Sequence, residues 1–181
     1  GMPLAKPVSV ENIAGFEHLA DHATRGGLSL TGLARQSISE VLPVARFGVL
    51  VATPDTPAGM TVAQAEESYI HAFARGYPTE AILDFRLETI GARQFLSWLL
   101  LEETETVDGE TVEQLRELEI TEQGATVTLY QQQGEEWLPV GPPKVLTRNG
   151  EALRFIPFQF INPTDARPKC QKPPMLDVAD V

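Results

Sequence analysis

Gln94-Phe95-Leu96-Ser97-Trp98-Leu99-Leu100-Leu101 is apolar on both alternating faces, which predicts a strand buried in the middle of a sheet. Reading backward, Gly91 marks a turn, and Ala81-Ile82-Leu83-Asp84-Phe85-Arg86-Leu87 alternates imperfectly as a neighbouring strand. Reading forward, Asp108-Gly109 is a hairpin signal. The next run, Val112 to Ile120, fits two periods. Val112, Leu115 and Leu118 suit a helix, whereas Val112, Leu118 and Ile120 suit one strand face. Turn signals at both ends decide for strand. Ala125-Thr126-Val127-Thr128-Leu129-Tyr130 alternates cleanly, Gly134 turns the chain into Trp137-Leu138-Pro139-Val140, and Phe155-Ile156-Pro157-Phe158-Gln159-Phe160-Ile161 closes the series. Pro157 points to an edge or a bulge there.

The N-terminal part reads as helical. Ser9 can cap a first helix carrying Ile13, Phe16, Leu19, Ala20 and Ala23, which Arg25-Gly26-Gly27 ends. Ser29 can cap a second helix with Leu30, Leu33, Ala34, Ser37, Ile38 and Val41 on one face, and Pro43 should stop or kink it. Phe47-Gly48-Val49-Leu50-Val51 is a short buried strand, and Thr61 can cap a third helix through Glu67. The expected fold is therefore α+β, with two or three N-terminal helices followed by a mainly antiparallel meander of roughly five or six strands. The whole chain, 1–181, is expected to be a single domain. Gly1 before Met2 reads as a tag remnant, and the helix that starts after Pro173-Pro174 is cut short at Val181. Both features lead to the expectation of a piece of a longer protein.

Charge narrows the function classes. Fourteen Lys and Arg against 25 Asp and Glu give a net charge of −11. An autonomous nucleic-acid binder needs a basic stripe to displace counterions, and docking on anionic lipid needs the same sign. Cys170 is the single cysteine, so no intrachain disulfide or cysteine-based zinc site is expected. No apolar run approaches the ~20 residues that span a bilayer.

His18 and His22 stand at i, i+4 with Glu17 and Asp21 beside them, which is metal-ligand spacing on a helix. The zincin pattern also needs a Glu after the first His, but Leu19 is there, and His71 or a carboxylate would have to be the third ligand. They are the only metal candidates, and no metal or other cofactor is expected. Gly27-Leu28-Ser29-Leu30-Thr31-Gly32 has the wrong spacing for a nucleophile elbow, and Ser29 fits better as a helix cap. The carboxylates Glu102, Glu103, Glu105, Glu113, Glu117, Glu119 and Glu122 would suit a glycosidase pair only in an aromatic cleft, and wet surface positions explain them more simply. Arg167, Lys169 and Lys172 make the one basic cluster, in a proline-rich stretch around Cys170. No catalytic residue is assigned.

Three stretches taken together carry a family resemblance. The first is Gly27 to Ala34 with Glu40-Val41-Leu42 and Arg46 to Val51; the second is Tyr69, His71 and Ala81 to Arg86; the third is Phe155 to Ile161 with Lys172 to Asp180. In order and spacing they resemble a functionally undescribed family of tailed-phage and prophage structural proteins, itself similar to phage portal proteins. The chain departs from that pattern at Ala45, where such sequences usually carry glycine, at Thr53, where Asp usually precedes the proline, and at Pro43. The resemblance implies a wing-like portal part with no enzymatic activity. It also implies self-association into a ring at the capsid vertex, contact with other phage head proteins, and duplex DNA that passes through without being tightly bound. The implied location is the virion and, during assembly, the host bacterial cytoplasm. Two other classes stay open: a soluble β-rich module binding a ligand or peptide near Trp98 or Trp137, and a metal-dependent hydrolase using His18 and His22.

Overall fold

A computed structural model describes residues 17–54, 64, 71–107, 109–148, 150–165, 168 and 171–176. The chain divides into two compact units, one made of Gly1–Thr79 with Pro157–Val181 and the other of Glu80–Ile156.

In the first unit, Ser29 caps the helix α1 (Leu30–Val44), its Oγ accepting from the Gly32 N–H at 3.1 Å. Leu33, Ser37 and Val41 are buried, one stripe at helical spacing. Pro43 falls inside the last turn, and the helix ends at Ala45, whose N–H bonds Val41 O at 2.9 Å. Ala45 adopts φ 60° and ψ 14°, the left-handed conformation typical of a C-terminal cap. It is the one described non-glycine residue at positive φ.

The chain then enters β1 (Phe47–Ala52), the middle strand of a three-stranded antiparallel sheet between β2 (Phe73–Pro78) and a later strand, Phe158–Ile161. On one face Phe47 packs with Leu33 and Val41 of the helix, joined by Val49, Ala74 and Ile161. Removing a ring such as Phe47 from water contributes about 1.5–3 kcal/mol. On the other face, Gly48 pairs with Tyr77 on one side and Phe160 on the other. The Phe158 ring lies over Gly48 and fills the space a side chain would take, and the Phe47 ring does the same over Gly76. Phe158 meets Phe160 edge-on at 5.0 Å and Tyr77 at 6.0 Å, so these aromatic rings form one connected group.

The second unit is a succession of antiparallel strands: β3 (Ile82–Ile90), β4 (Arg93–Val107), β5 (Glu110–Thr121), β6 (Gly124–Gln133) and β7 (Glu136–Pro139), hydrogen-bonded in that order. The short β8 (Lys144–Val145) also pairs with β6, while β9 (Thr147–Arg148) and β10 (Glu151–Ala152) form a two-stranded ladder. The Phe158–Ile161 strand of the first unit is β11. Leu99, Leu101 and Leu118 are almost completely buried and share one face, because Leu99 pairs with Leu118. Beyond Leu101 the β4–β5 pair continues without β3, and β6 joins β5 only from Gln114 onward.

The α+β expectation is overturned. Strands dominate, and α1 is the one α-helix of any length among the described residues. The end of the expected first helix is a single 3-10 turn, Glu17–Ala20, after which the chain turns along β2: Ala74 N–H bonds Ala23 O at 2.7 Å. That strand, Phe73-Ala74-Arg75-Gly76-Tyr77-Pro78, has no counterpart in the sequence reading, and it carries a glycine and a proline, which weaken a strand signal. Gly76 is the seat of the Phe47 ring, and Pro78 ends the strand. The first helix before Glu17 and the third, Thr61 to Glu67, lie for the most part outside the described residues, as do Asp108 and the helix start after Leu176.

Two substitutions test this account of the first sheet in opposite directions. Gly48→Ala places a methyl group in the Phe158 ring, and overpacking of this kind costs about 1–3 kcal/mol. Ala45→Gly relieves a left-handed conformation that costs an L-residue about 1–2 kcal/mol, offset in part by glycine's chain entropy. Chemical denaturation should show the first variant destabilised and the second unchanged or stabilised; the reverse order would refute both placements.

Candidate functional site

The acidic residues of the second unit separate onto opposite faces of the sheet. Arg116 pairs with Leu101 and Glu117 with Leu100, so neighbouring β5 side chains alternate between the buried leucine face and the other one. On the leucine face, Glu103 has no side-chain exposure. Its Oε1 accepts from Arg116 Nε at 2.6 Å, and its Oε2 accepts from Arg116 at 3.1 Å and from Gln114 Nε2 at 2.8 Å. A buried carboxylate is tolerable only when paired and hydrogen-bonded in this way, and removing the partner of such a pair costs about 3–5 kcal/mol.

On the opposite face Glu117 is equally committed. Trp98 Nε1 donates to its Oε1 and Tyr130 Oη to its Oε2, each at 2.7 Å. The Arg86 guanidinium lies 4.6 Å from the Trp98 ring centroid, which extends the row across β3, β4, β5 and β6. The hydrogen bond to Glu117, aided by burial and by the charges of Glu117 and Glu119, pushes the Tyr130 hydroxyl up from 10.0 to about 12. Tyr130 thus stays a neutral donor and is unsuited to act as a base. Glu117 and Tyr130 line an open groove of about 720 Å³, with Glu119, Glu122, buried Thr126 and Thr128, and the prolines 139, 142 and 143. Three prolines and a glycine stand against its Glu, Thr and Tyr side chains, and its lining carries no Lys or Arg.

The histidines do not form a ligand set. His18 belongs to the 3-10 turn, its Nε2 donates to Ala72 O at 3.2 Å, and its ring stacks on His71 with centroids 4.5 Å apart and planes 25° from parallel. Stacked rings aim their nitrogen lone pairs side by side rather than at one point. His22 is exposed, and only its backbone N–H bonds His18 O, at 2.8 Å. Among the described residues no group of three or more His, Cys, Asp or Glu is placed to hold a metal ion. Ser29 is the helix cap, Tyr77 is buried in the first sheet, and Trp137 is half-buried on β7. Tyr69, Arg167, Lys169 and Cys170 lie outside the described residues. The expectation of wet surface carboxylates fails at Glu103 and Glu117. A cross-strand cation, Arg116, and three cross-strand donors, Gln114, Trp98 and Tyr130, hold them, and only the strand register brings those partners together.

No family model matches the chain, and a search of curated proteins finds no match. Among the described residues no helix is long and apolar enough to cross a membrane.

The Glu117–Tyr130 bond has a titratable signature. Because its folded value lies above the ordinary phenol value, Tyr130 contributes stability that is fully present below pH 10 and is lost as the pH rises towards about 12. A residue-resolved titration should show Tyr130 ionising late, and Glu117→Gln should return it towards its ordinary value. A Tyr130 that still ionises late in Glu117→Gln would remove Glu117 as the cause.

Proposed function

We propose that this chain is a non-enzymatic structural protein of a tailed phage or prophage, portal-like, contributing to the ring at the capsid vertex through which duplex DNA is packaged. The observation that carries the reading is the backbone at Ala45. The sequences that this chain resembles usually have glycine at that place, and Ala45 holds the left-handed conformation that glycine adopts without strain. A position defined by resemblance thereby coincides with one defined independently by backbone geometry. The three stretches of the resemblance also supply the strands β1, β3 and β11, and two of these, far apart in sequence, are hydrogen-bonded neighbours.

The chemistry of the second unit favours an architectural part. Its most enclosed carboxylates are occupied in holding strands together, Glu103 by Arg116 and Gln114, Glu117 by Trp98 and Tyr130. The net charge of −11 keeps a polyanion from adhering, as a conduit for DNA requires. The ring's partners are further copies of the chain and other head proteins, and its place is the virion and the assembling host cytoplasm.

Disrupting the gene in an inducible host tests the reading. Heads should assemble without packaged DNA, a plasmid copy should restore filling, and gold-labelled antibody should mark a single vertex of the restored particles. DNA-filled infectious particles made without the gene, or label spread over the whole capsid, would contradict it.

A further inference from the structure

We propose that the groove beside Glu119 is a binding site for a guanidinium group, the side chain of an arginine presented by a partner polypeptide; this holds independently of the ring reading above. Three threonines line the groove, and two of them are spent inside the chain. Thr121 Oγ1 donates to Gly124 O at 3.0 Å, and Thr126 Oγ1 donates to Glu119 O at 3.3 Å. Thr128 is only 9% exposed, yet its hydroxyl makes no hydrogen bond to any described residue. Along β6, Thr126, Thr128 and Tyr130 line the groove while Val127 and Leu129 do not, so the Thr128 hydroxyl points into it. A polar group so enclosed is costly to leave unmatched, which favours a partner from outside the chain.

Charge and register select the occupant. Glu119 pairs with Thr126 on β6, and Thr128 is the next residue on that face, so Glu119 and Thr128 are diagonal neighbours, about 7–8 Å apart at the backbone. Glu117, opposite Thr128, is held by Trp98 and Tyr130. Glu122 is approached by Arg154, whose Nη1 donates to its main-chain oxygen at 3.0 Å. The open carboxylate is therefore that of Glu119, which is exposed and meets no Lys or Arg in the groove lining. Among the described residues no metal-ligand set includes it. A guanidinium carries five donors in one rigid plane, so a single group can donate to the Glu119 carboxylate and to Thr128 together. An ammonium is a compact, strongly hydrated point charge and matches separated acceptors less well. The weakly hydrated faces of the guanidinium also suit the prolines 139, 142 and 143 of the lining. Because the groove is open, the side chain can enter while the partner's backbone stays at the rim.

The test follows backbone amide signals of the intact, isotope-labelled chain by NMR while a probe is added. The probes are a capped alanine peptide with one central arginine, the same peptide with lysine in its place, and free arginine. Saturable shifts at Thr126, Thr128 and Tyr130 are expected, with the arginine peptide bound roughly threefold or more tightly than the lysine peptide. Free arginine should bind more weakly than the arginine peptide, because its own carboxylate meets Glu119 and Glu122. Glu119→Gln, at an exposed position, should weaken the arginine peptide about three- to fivefold, the worth of an exposed ion pair. Thr128→Val should also weaken it, while leaving the denaturation midpoint unchanged or raised, since the hydroxyl it removes has no partner among the described residues. Shifts absent from the groove, equal binding of the two peptides, tighter binding of free arginine, or indifference to both substitutions would each overturn the proposal. So would a clear loss of stability in Thr128→Val, which would show the hydroxyl already engaged.

Discussion

The position of β1 between β2 and β11 is the constraint on which the first unit depends. β2 follows β1 closely in sequence, but β11 arrives only after the entire second unit, Glu80–Ile156, has been made. Closing so long an excursion costs loop entropy that grows slowly with length, and the ladder and the aromatic group must offset it. They can do so because two positions lack side chains. Gly48 accepts the Phe158 ring and Gly76 accepts the Phe47 ring, so large apolar surfaces are buried without forcing the strands apart. Within the first unit, the last strand before the excursion and the first strand after it are thereby held on one strand, Pro78 opposite Phe47 and Phe158 opposite Leu50.

In the second unit the corresponding constraint is electrostatic. β4 and β5 carry many glutamates, a composition that by propensity alone weakens strands. The register places Arg116 and Gln114 against Glu103 on one face and Trp98 and Tyr130 against Glu117 on the other. Each carboxylate then links neighbouring strands, and a register slip of one residue would exchange the faces and leave a charge buried without its partner.

Local signals were legible in the sequence, and pairwise ones were not. Ser29 could be read as a cap, Gly91 as a turn and Ala125 to Tyr130 as a strand, because each depends on a few adjacent residues. The ambiguous run from Val112 to Ile120 is β5, and its alternation shows only against β4 and β6. β2 was hidden because its glycine and proline have their reasons in other strands. The helical expectation before Glu17–Ala20 overreached at its end because Ala23 finds a backbone partner at Ala74 that no periodicity reveals. The burial of Glu103 and the engagement of Glu117 likewise follow from cross-strand partners more than ten residues away.

Sheet closure by β11 also underlies the functional reading, since it joins stretches of the resemblance that are distant in sequence and sets Ala45 at the entry to β1. Backbone hydrogen exchange on the intact chain, resolved by residue, measures that closure directly. The amides that face across the β1–β11 pair, those of Val49, Val51 and Gln159, should exchange slowly and at a common rate, opening together as one cooperative element. Fast, independent exchange at Gln159 while the β1 amides that face β2 stay protected would show that the sheet does not depend on β11, and would contradict the account.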